Sequence, residues 1–411
     1  MSKNFSFQML WISQLLSNLG DSLYILSVVT AIYQLTGSAF ISGFFPVLRV
    51  AGQVMSGIFV PLWMDRMKLL KIIWIAQIGQ TMLLAMMSLI NLEARSSWLA
   101  ASLLCFVFAT SVLHGCALPA RNALVPRLVT PDYLMKANSL LSTSDQMILL
   151  LGWSLGGVLV YQFGSSVVLW GVTVLMVLST LSLFFVKDPS QKTIETDQTG
   201  KWRRLADGWA YLWKDSDLRI ISTMKFVSNI GEAVWTGSIL LVFVKEVLHK
   251  GEEWWGFINS GYFIGAILGG GVVWIFSRSI EKRVVFNLFL GCVSLSIATF
   301  LFGLSSDPWL ALVLSVAMGI PNQVRNIAER TFIQYQTPEK MLPKVLAAIT
   351  TIMFVTFGLS VLVMGYVADL AGVRTVYMIA FGLYLTTAVV SLFIRKKQLV
   401  FTKVDGNRIG Q

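Results

Sequence analysis

Charge is scarce in this chain. Of 411 residues only 13% are charged while 55% are hydrophobic, and mean hydropathy is +0.71. A soluble domain carries about 25% charged residues, so a water-facing globular protein is excluded. Cysteine is scarcer still. Cys105, Cys116 and Cys292 all fall in apolar stretches and form no CxxC. Cys105 and Cys116 lie on one helix about 16 Å apart at 1.5 Å per residue, beyond disulfide reach. The two histidines, His114 and His249, have no metal-ligand spacing. Structural zinc and thiol redox chemistry drop out, and neither a resident metal nor a cofactor is expected. No H-E-x-x-H, G-x-S-x-G or phosphate loop occurs, so no enzyme activity and no ATP site are expected.

What the chain has in quantity is long apolar runs. Segments at 71–92, 97–118, 146–163, 166–186, 284–304, 309–320 with its continuation, 345–368 and 376–394 each approach the roughly 20 residues that cross a bilayer. Spans near 8–35, 39–63, 218–248 and 254–277 fit with isolated polar breaks. The reading is twelve transmembrane helices in an all-α membrane protein. The first span is too long for a signal peptide and is expected to stay as an anchor.

The net charge of +11 reports topology. Basic residues gather in alternate loops: Arg66, Lys68 and Lys71; Arg127 and Lys136; Lys187 to Lys214; Arg278 to Arg283; Arg330 to Lys344; and Arg395 onward. The opposite loops hold Arg95, Lys250 and Arg374, with Lys245 near a span end. Excess positive charge marks the cytoplasmic side, which places both termini and the central loop there. No nucleic-acid partner is expected; the partner is the lipid bilayer.

Residues 188–217 are the one long polar stretch. They separate an N-terminal six-helix half, 1–187, from a C-terminal half, 218–395, followed by a cytoplasmic tail, 396–411. Trp202, Leu205, Trp209 and Leu212 stand at helical spacing. They define an amphipathic helix that lies either on the inner leaflet or against the cytoplasmic ends of the bundle.

A duplication runs through both halves. S-N-L-G-D at 17–21 recurs as S-N-I-G-E at 228–232, an offset of 211. Gly52 and Gly57 meet Gly265 and Gly270 at offset 213; Gly157 and Gly164 meet Gly365 and Gly372 at 208. The halves therefore share one orientation, and repeats of this kind bind substrate at their midplane interface.

The duplicated motif puts an acid deep in each half. Asp21 and Glu232 sit near 20 Å into their spans at 1.5 Å per residue. A charge there costs several kcal/mol unless paired, hydrated or protonated, so such acids either face a cavity and carry protons or simply tie helices together. Arg49 lies at a depth matching Asp21 and could pair with it. Asp145 lies closer to the cytoplasm. Tyr24 and Trp235 each follow an acid by three residues, on the same helix face, and suit a lipophilic cation. Arg325, Glu329 and Arg330 near the inner end of the tenth span either snorkel or pair.

The motifs resemble the major facilitator superfamily over nearly the whole chain. P-L-W-M-D-R-M-K-L-L-K at 61–71 is similar to its first cytoplasmic signature, with Asp65 and Arg66 matching and Pro61 and Lys68 in place of glycines. G-W-S-L-G-G at 152–157 resembles the antiporter signature, with Trp153 in place of proline. P-A-R-N-A-L-V-P-R-L-V at 119–129, A-N-S-L at 137–140 and L-A-D-G-W-A-Y-L-W at 205–213 look like the drug–proton antiporter branch that includes macrolide-efflux and siderophore-export proteins. The resemblance implies a monomer in a bacterial plasma membrane that exports small amphipathic molecules against protons by alternating access. It implies that Asp65, Arg66 and Arg121 act in cytoplasmic gating, with Asp65 facing the eleventh helix near Pro343, and that Gly152, Gly156 and Gly157 permit close helix packing. A lysolipid translocator and a proton-coupled uptake symporter are the competing readings on the same fold.

Overall fold

The computed structural model describes residues 5–64, 67–89, 97–189, 201–235 and 237–395. The first half comprises α1 (Phe5–Thr36), a single turn α2 (Ala39–Ser42), α3 (Phe44–Met64), α4 (Leu69–Leu89), α5 (Ser97–Leu128) and α6 (Pro131–Leu183). A linker helix, α7 (Lys201–Lys214), precedes the second half. That half has α8 (Ser216–Glu232), a 3-10 turn (Ala233–Trp235), α9 (Gly237–Glu246), α10 (Glu252–Lys282), α11 (Val284–Leu304), α12 (Pro308–Gln336), α13 (Leu342–Ala371) and α14 (Val373–Ser391).

Among the described residues nine helices are long and apolar enough to cross a membrane, and α8 with α9, bent by 44°, make a tenth span. The remaining two crossings are explained by residue content. α6 is two helices joined at Gly164, whose φ of 78° breaks the run. α12 is less apolar because Pro321, Asn322, Gln323 and Arg325 interrupt its hydrophobic run and Glu329 and Arg330 follow. The chain is thus an all-α membrane protein of twelve crossings in two parallel halves.

The duplication is written into the contacts. Gly164 and Gly372 both take a left-handed φ, 78° and 83°, at the same place in each half, a conformation open to glycine without a Cβ penalty. A Cβ on Gly52 would lie 2.9 Å from the carbonyl oxygen of Phe108, and one on Gly265 would strike that of Val316. Asn18 donates to the Asp145 carboxylate, and its counterpart Asn229 donates to the backbone oxygen of Met353, offset 208 from Asp145.

The Gly265 contact makes a stability prediction. Gly265→Ala forces α10 away from α12 and lowers stability by about 1–3 kcal/mol. Gly271→Ala has nothing within 4 Å of the added methyl and leaves stability unchanged or raises it by about 0.5–1 kcal/mol through helix propensity. Thermal unfolding of the two variants in detergent checks this; equal Tm values would refute the close packing.

The core divides by depth. At the end that carries α7, one apolar cluster runs through both halves and includes Leu10, Leu128, Leu141, Leu212, Phe332 and Val345. At the other end the core is two separate clusters. One lies within the first half around Tyr24, Leu84, Leu103 and Val172; the other lies within the second around Phe243, Met318, Phe302 and Tyr377.

Polar contacts between halves gather at the α7 end as well. Asn138 donates to Thr331 at 2.9 Å and to Gln334 at 2.6 Å. Ser139 donates to the Gly270 carbonyl at 2.7 Å, and Gln323 to Ser142 at 2.9 Å. Arg330 and Gln334 both reach Asn122. Arg127 pairs across the halves with Glu339 at 2.9 Å, and with Asp188 at the start of the linker at 3.2 Å.

The linker helix is docked on the bundle. Leu212 is fully buried, and Trp209 and Tyr211 pack on the shared cluster. Lys344 donates to Asp207 at 3.1 Å, and a Cβ on Gly208 would lie 2.6 Å from the Lys344 carbonyl. These contacts seat the helix against the end of the bundle. Trp213, one turn on from Trp209, is exposed.

Candidate functional site

Asp21 sits midway along α1, and Arg49 lies near the start of α3. Arg49 holds it with two hydrogen bonds, Nη1 to Oδ1 at 3.0 Å and Nη2 to Oδ2 at 2.5 Å. The fork of a guanidinium matches a carboxylate, so this is the strong form of an ion pair. About a fifth of each side chain remains accessible, toward a cavity of about 10 Å³ that Tyr24, Gln53, Gln80, Thr110 and His114 also line. That volume holds about one water. Tyr24 is hydrogen-bonded to Thr110 at 3.1 Å and stacks obliquely on Phe45. The predicted neighbours Asp21, Arg49 and Tyr24 are therefore brought together.

Glu232 ends α8 and has a different setting. Arg325 Nη2 approaches it at 3.3 Å. Arg325 Nε lies 3.9 Å from Glu329, and Lys225 Nζ lies 2.6 Å from the other oxygen of Glu329. Four charges thus alternate in sign across α8 and α12. Arg325 and Glu329 are each 1% exposed, whereas Glu232 keeps 34% of its side chain open. Arg325 and Glu329 pair in the interior and do not snorkel.

Glu232 opens into a cavity of about 290 Å³ whose wall includes Trp235, Tyr262, Asn322, Asn326, Phe357 and Tyr384. Trp235 lies on the 3-10 turn and not on the α8 helix face expected for it, because the helix ends at Glu232. It still lines the same cavity, packed edge-on against Phe302 and Tyr377. Asn322 donates to Tyr262 Oη at 2.7 Å. Tyr262 occupies the position of Arg49 at offset 213, so the repeat contained the signal for it.

Asp145 lies on α6 and is held by amides. Gln14 donates to both its oxygens at 3.0 and 3.1 Å, and Asn18 to one at 2.7 Å. Arg121 of the first half and Arg330 of the second act on it electrostatically from beyond ion-pair distance. Arg121 itself is 5% exposed. Asp145 and Arg121 thus share the contact zone between halves and stand apart from the Asp21 and Glu232 cavities.

The glycine triplet splits. A Cβ on Gly152 would lie 2.6 Å from Ser22 Cβ, and one on Gly156 would collide with Leu26, so both allow α6 to approach α1. Gly157 has nothing within 4 Å and makes no such contact; it faces away from α1. Asp65 and Arg66 lie outside the described residues, as does the side chain of Trp153. Among the described residues no group of three or more His, Cys, Asp or Glu has metal-holding geometry.

The Major Facilitator Superfamily profile matches residues 10–320 and 236–404. An uncharacterised MFS-type transporter, YfmI of Bacillus subtilis (strain 168), is 31% identical over 378 residues, covering 92% of this chain and 93% of its own length. Another from the same strain, YjbB, is 31% identical over 401 residues, covering 93% and 94%. A solved structure of the Escherichia coli fucose:proton symporter FucP shares the fold with a TM-score of 0.75 at 15% identity, covering 94% of this chain and 98% of that one. The chain belongs to the Major Facilitator Superfamily. It is a multi-pass membrane transporter and not an enzyme.

Proposed function

We propose that this transporter is a proton-coupled exporter of small amphipathic molecules. The observation that carries the reading is the division of labour between the two acids. Asp21 is clamped by a single arginine in a cavity with room for about one water. Glu232 is partly open in a far larger, aromatic-walled cavity. Protonating Asp21 removes its charge and releases Arg49, a change of local electrostatics that two global conformations can read out. Glu232 offers a carboxylate beside Trp235, Tyr262 and Tyr384, a setting that attracts an organic cation through charge and ring faces.

Placing the α7 end in the cytoplasm follows from the alternation of basic loops. In that orientation the closed shared core is on the inside and the divided core on the outside. The shape is then outward-facing, the form in which Asp21 takes a proton and substrate leaves. Arg330, Asn122 and Asn138 belong to the inner closure, and Asp145 with Arg121 forms its electrostatic centre. The site is in the plasma membrane of a bacterium, as the Bacillus relatives support.

The experiment is transport into proteoliposomes that hold the protein with α7 outward and have an acidic lumen. A lipophilic cation should accumulate inside while the lumen loses protons. Accumulation only when the gradient is reversed would assign uptake symport, and no coupling to either gradient would refute the reading.

The inner closure gives a further prediction. Arg330→Ala removes the contact to Asn122 and one of the two cations facing Asp145, and should shift the population toward forms open at the α7 end. Spin-label distances across that end would lengthen. An unchanged distance distribution would show that Arg330 does not hold the halves shut.

A further inference from the structure

We infer that a lateral opening between α6 and α10 seats the apolar tail of the substrate, and that the substrate is an amphipathic amine that exchanges directly with the membrane. This rests on reading the Glu232 cavity as the substrate site.

The two helices touch at the α7 end and part beyond it. Ser139 donates to the Gly270 carbonyl, and a Cβ on Gly270 would collide with Thr143. About ten residues further along α6 a groove of about 520 Å³ opens, bounded by Leu149, Leu150 and Ser154 on one side and Trp255, Asn259 and Phe263 on the other. Asn259 and Phe263 also line the Glu232 cavity. The two spaces are therefore neighbours divided by these two side chains. The residues that flank the groove, Leu151, Leu155, Phe257 and Ile264, are each about half exposed, so the groove opens on the lipid-facing surface. It does so in the half of the bundle remote from α7.

Volume and chemistry agree on the occupant. The 290 Å³ of the Glu232 cavity alone is at the low end for a drug-sized ligand, whereas cavity and groove together fall inside the usual range of about 300–1,000 Å³. The groove walls are chiefly apolar, and the acid is at the inner end. Among the described residues, four buried polar atoms on these walls lack partners: Asn322 Oδ1, Trp235 Nε1 and Tyr384 Oη in the cavity, and Trp255 Nε1 in the groove. A buried unmatched polar atom costs about 1–3 kcal/mol, so each favours a ligand that supplies its complement. An ammonium head satisfies Glu232 and Asn322 Oδ1; an amide or ester carbonyl further along accepts from Trp255 Nε1; the tail passes Phe263 and lies between the helices. The occupant is thus a primary amine carrying a mid-chain carbonyl and a single apolar tail.

The test uses amide-linked alkylamines with tails of four and twelve carbons, the longer one also with a terminal diazirine, and the wild-type protein in proteoliposomes. Affinity should rise at least tenfold from the short to the long tail after correction for partition into protein-free vesicles. Photolysis should place adducts at 149–154 and 255–263. Leu150→Trp, which narrows the groove, should cut long-tail transport at least tenfold and leave short-tail transport within twofold. Adducts spread over other lipid-facing helices, or equal loss for both tails, would overturn the lateral opening while leaving Glu232 as the substrate acid. Failure of the wild type to bind or move either amine would overturn the substrate class itself.

Discussion

Asp21→Asn is expected to abolish proton-driven accumulation while substrate still binds. The asparagine keeps one oxygen for Arg49 but cannot exchange a proton, so the charge on which coupling depends never changes. The protein should remain folded. Arg49 loses a charged partner, which costs about 1–3 kcal/mol, but its side chain is 20% accessible toward the cavity and water can replace part of the contact. Tm in detergent should fall modestly, and ligand-induced stabilisation should persist. Retained uphill transport in Asp21→Asn would remove the proton-carrier role. Arg49→Lys separates the geometry from the charge: a lysine cannot make the two-pronged contact, so the variant should couple weakly while keeping the net charge.

Glu329→Leu should be the most destabilising single change in the second half. Glu329 is buried between Lys225 and Arg325, and its removal leaves those cations with one acid, Glu232, among them. Breaking a buried pair by deleting one partner costs about 3–5 kcal/mol, whereas replacing the pair with apolar residues is often near neutral. Lys225→Met combined with Glu329→Leu should therefore recover part of the loss. Thermal unfolding of the two single variants and the double variant measures the coupling. Simple additivity would mean that Lys225 and Glu329 do not interact.

Much of this arrangement was legible from the chain. The alternation of apolar runs and basic loops pointed to twelve crossings because a bilayer demands a fixed run length. The S-N-L-G-D duplication located both acids, and equal depth along neighbouring helices matched Arg49 to Asp21. The second half was harder. Glu232 meets Arg325 from 93 positions away, and nothing in spacing says which two helices of a bundle lie side by side. The halves diverge here: Tyr262 stands where Arg49 would be, and Glu232 finds its cation on α12. Gly157 sits beside two packing glycines but one residue further around the helix, which turns it away from α1. Asp145 reads as a lone charge because its partners, Gln14 and Asn18, are amides whose role appears only when α1 and α6 are laid together. The bend after Glu232 had no proline to announce it.

In the proposed mechanism Asp21 and Glu232 together couple protons to substrate. The most direct measurement is uphill accumulation by the Asp21→Asn/Glu232→Gln double variant in proteoliposomes with an imposed pH gradient, set against wild type at equal protein content. The double variant should show no accumulation above protein-free vesicles. Accumulation at the wild-type rate would contradict the account and move the coupling site to Asp145.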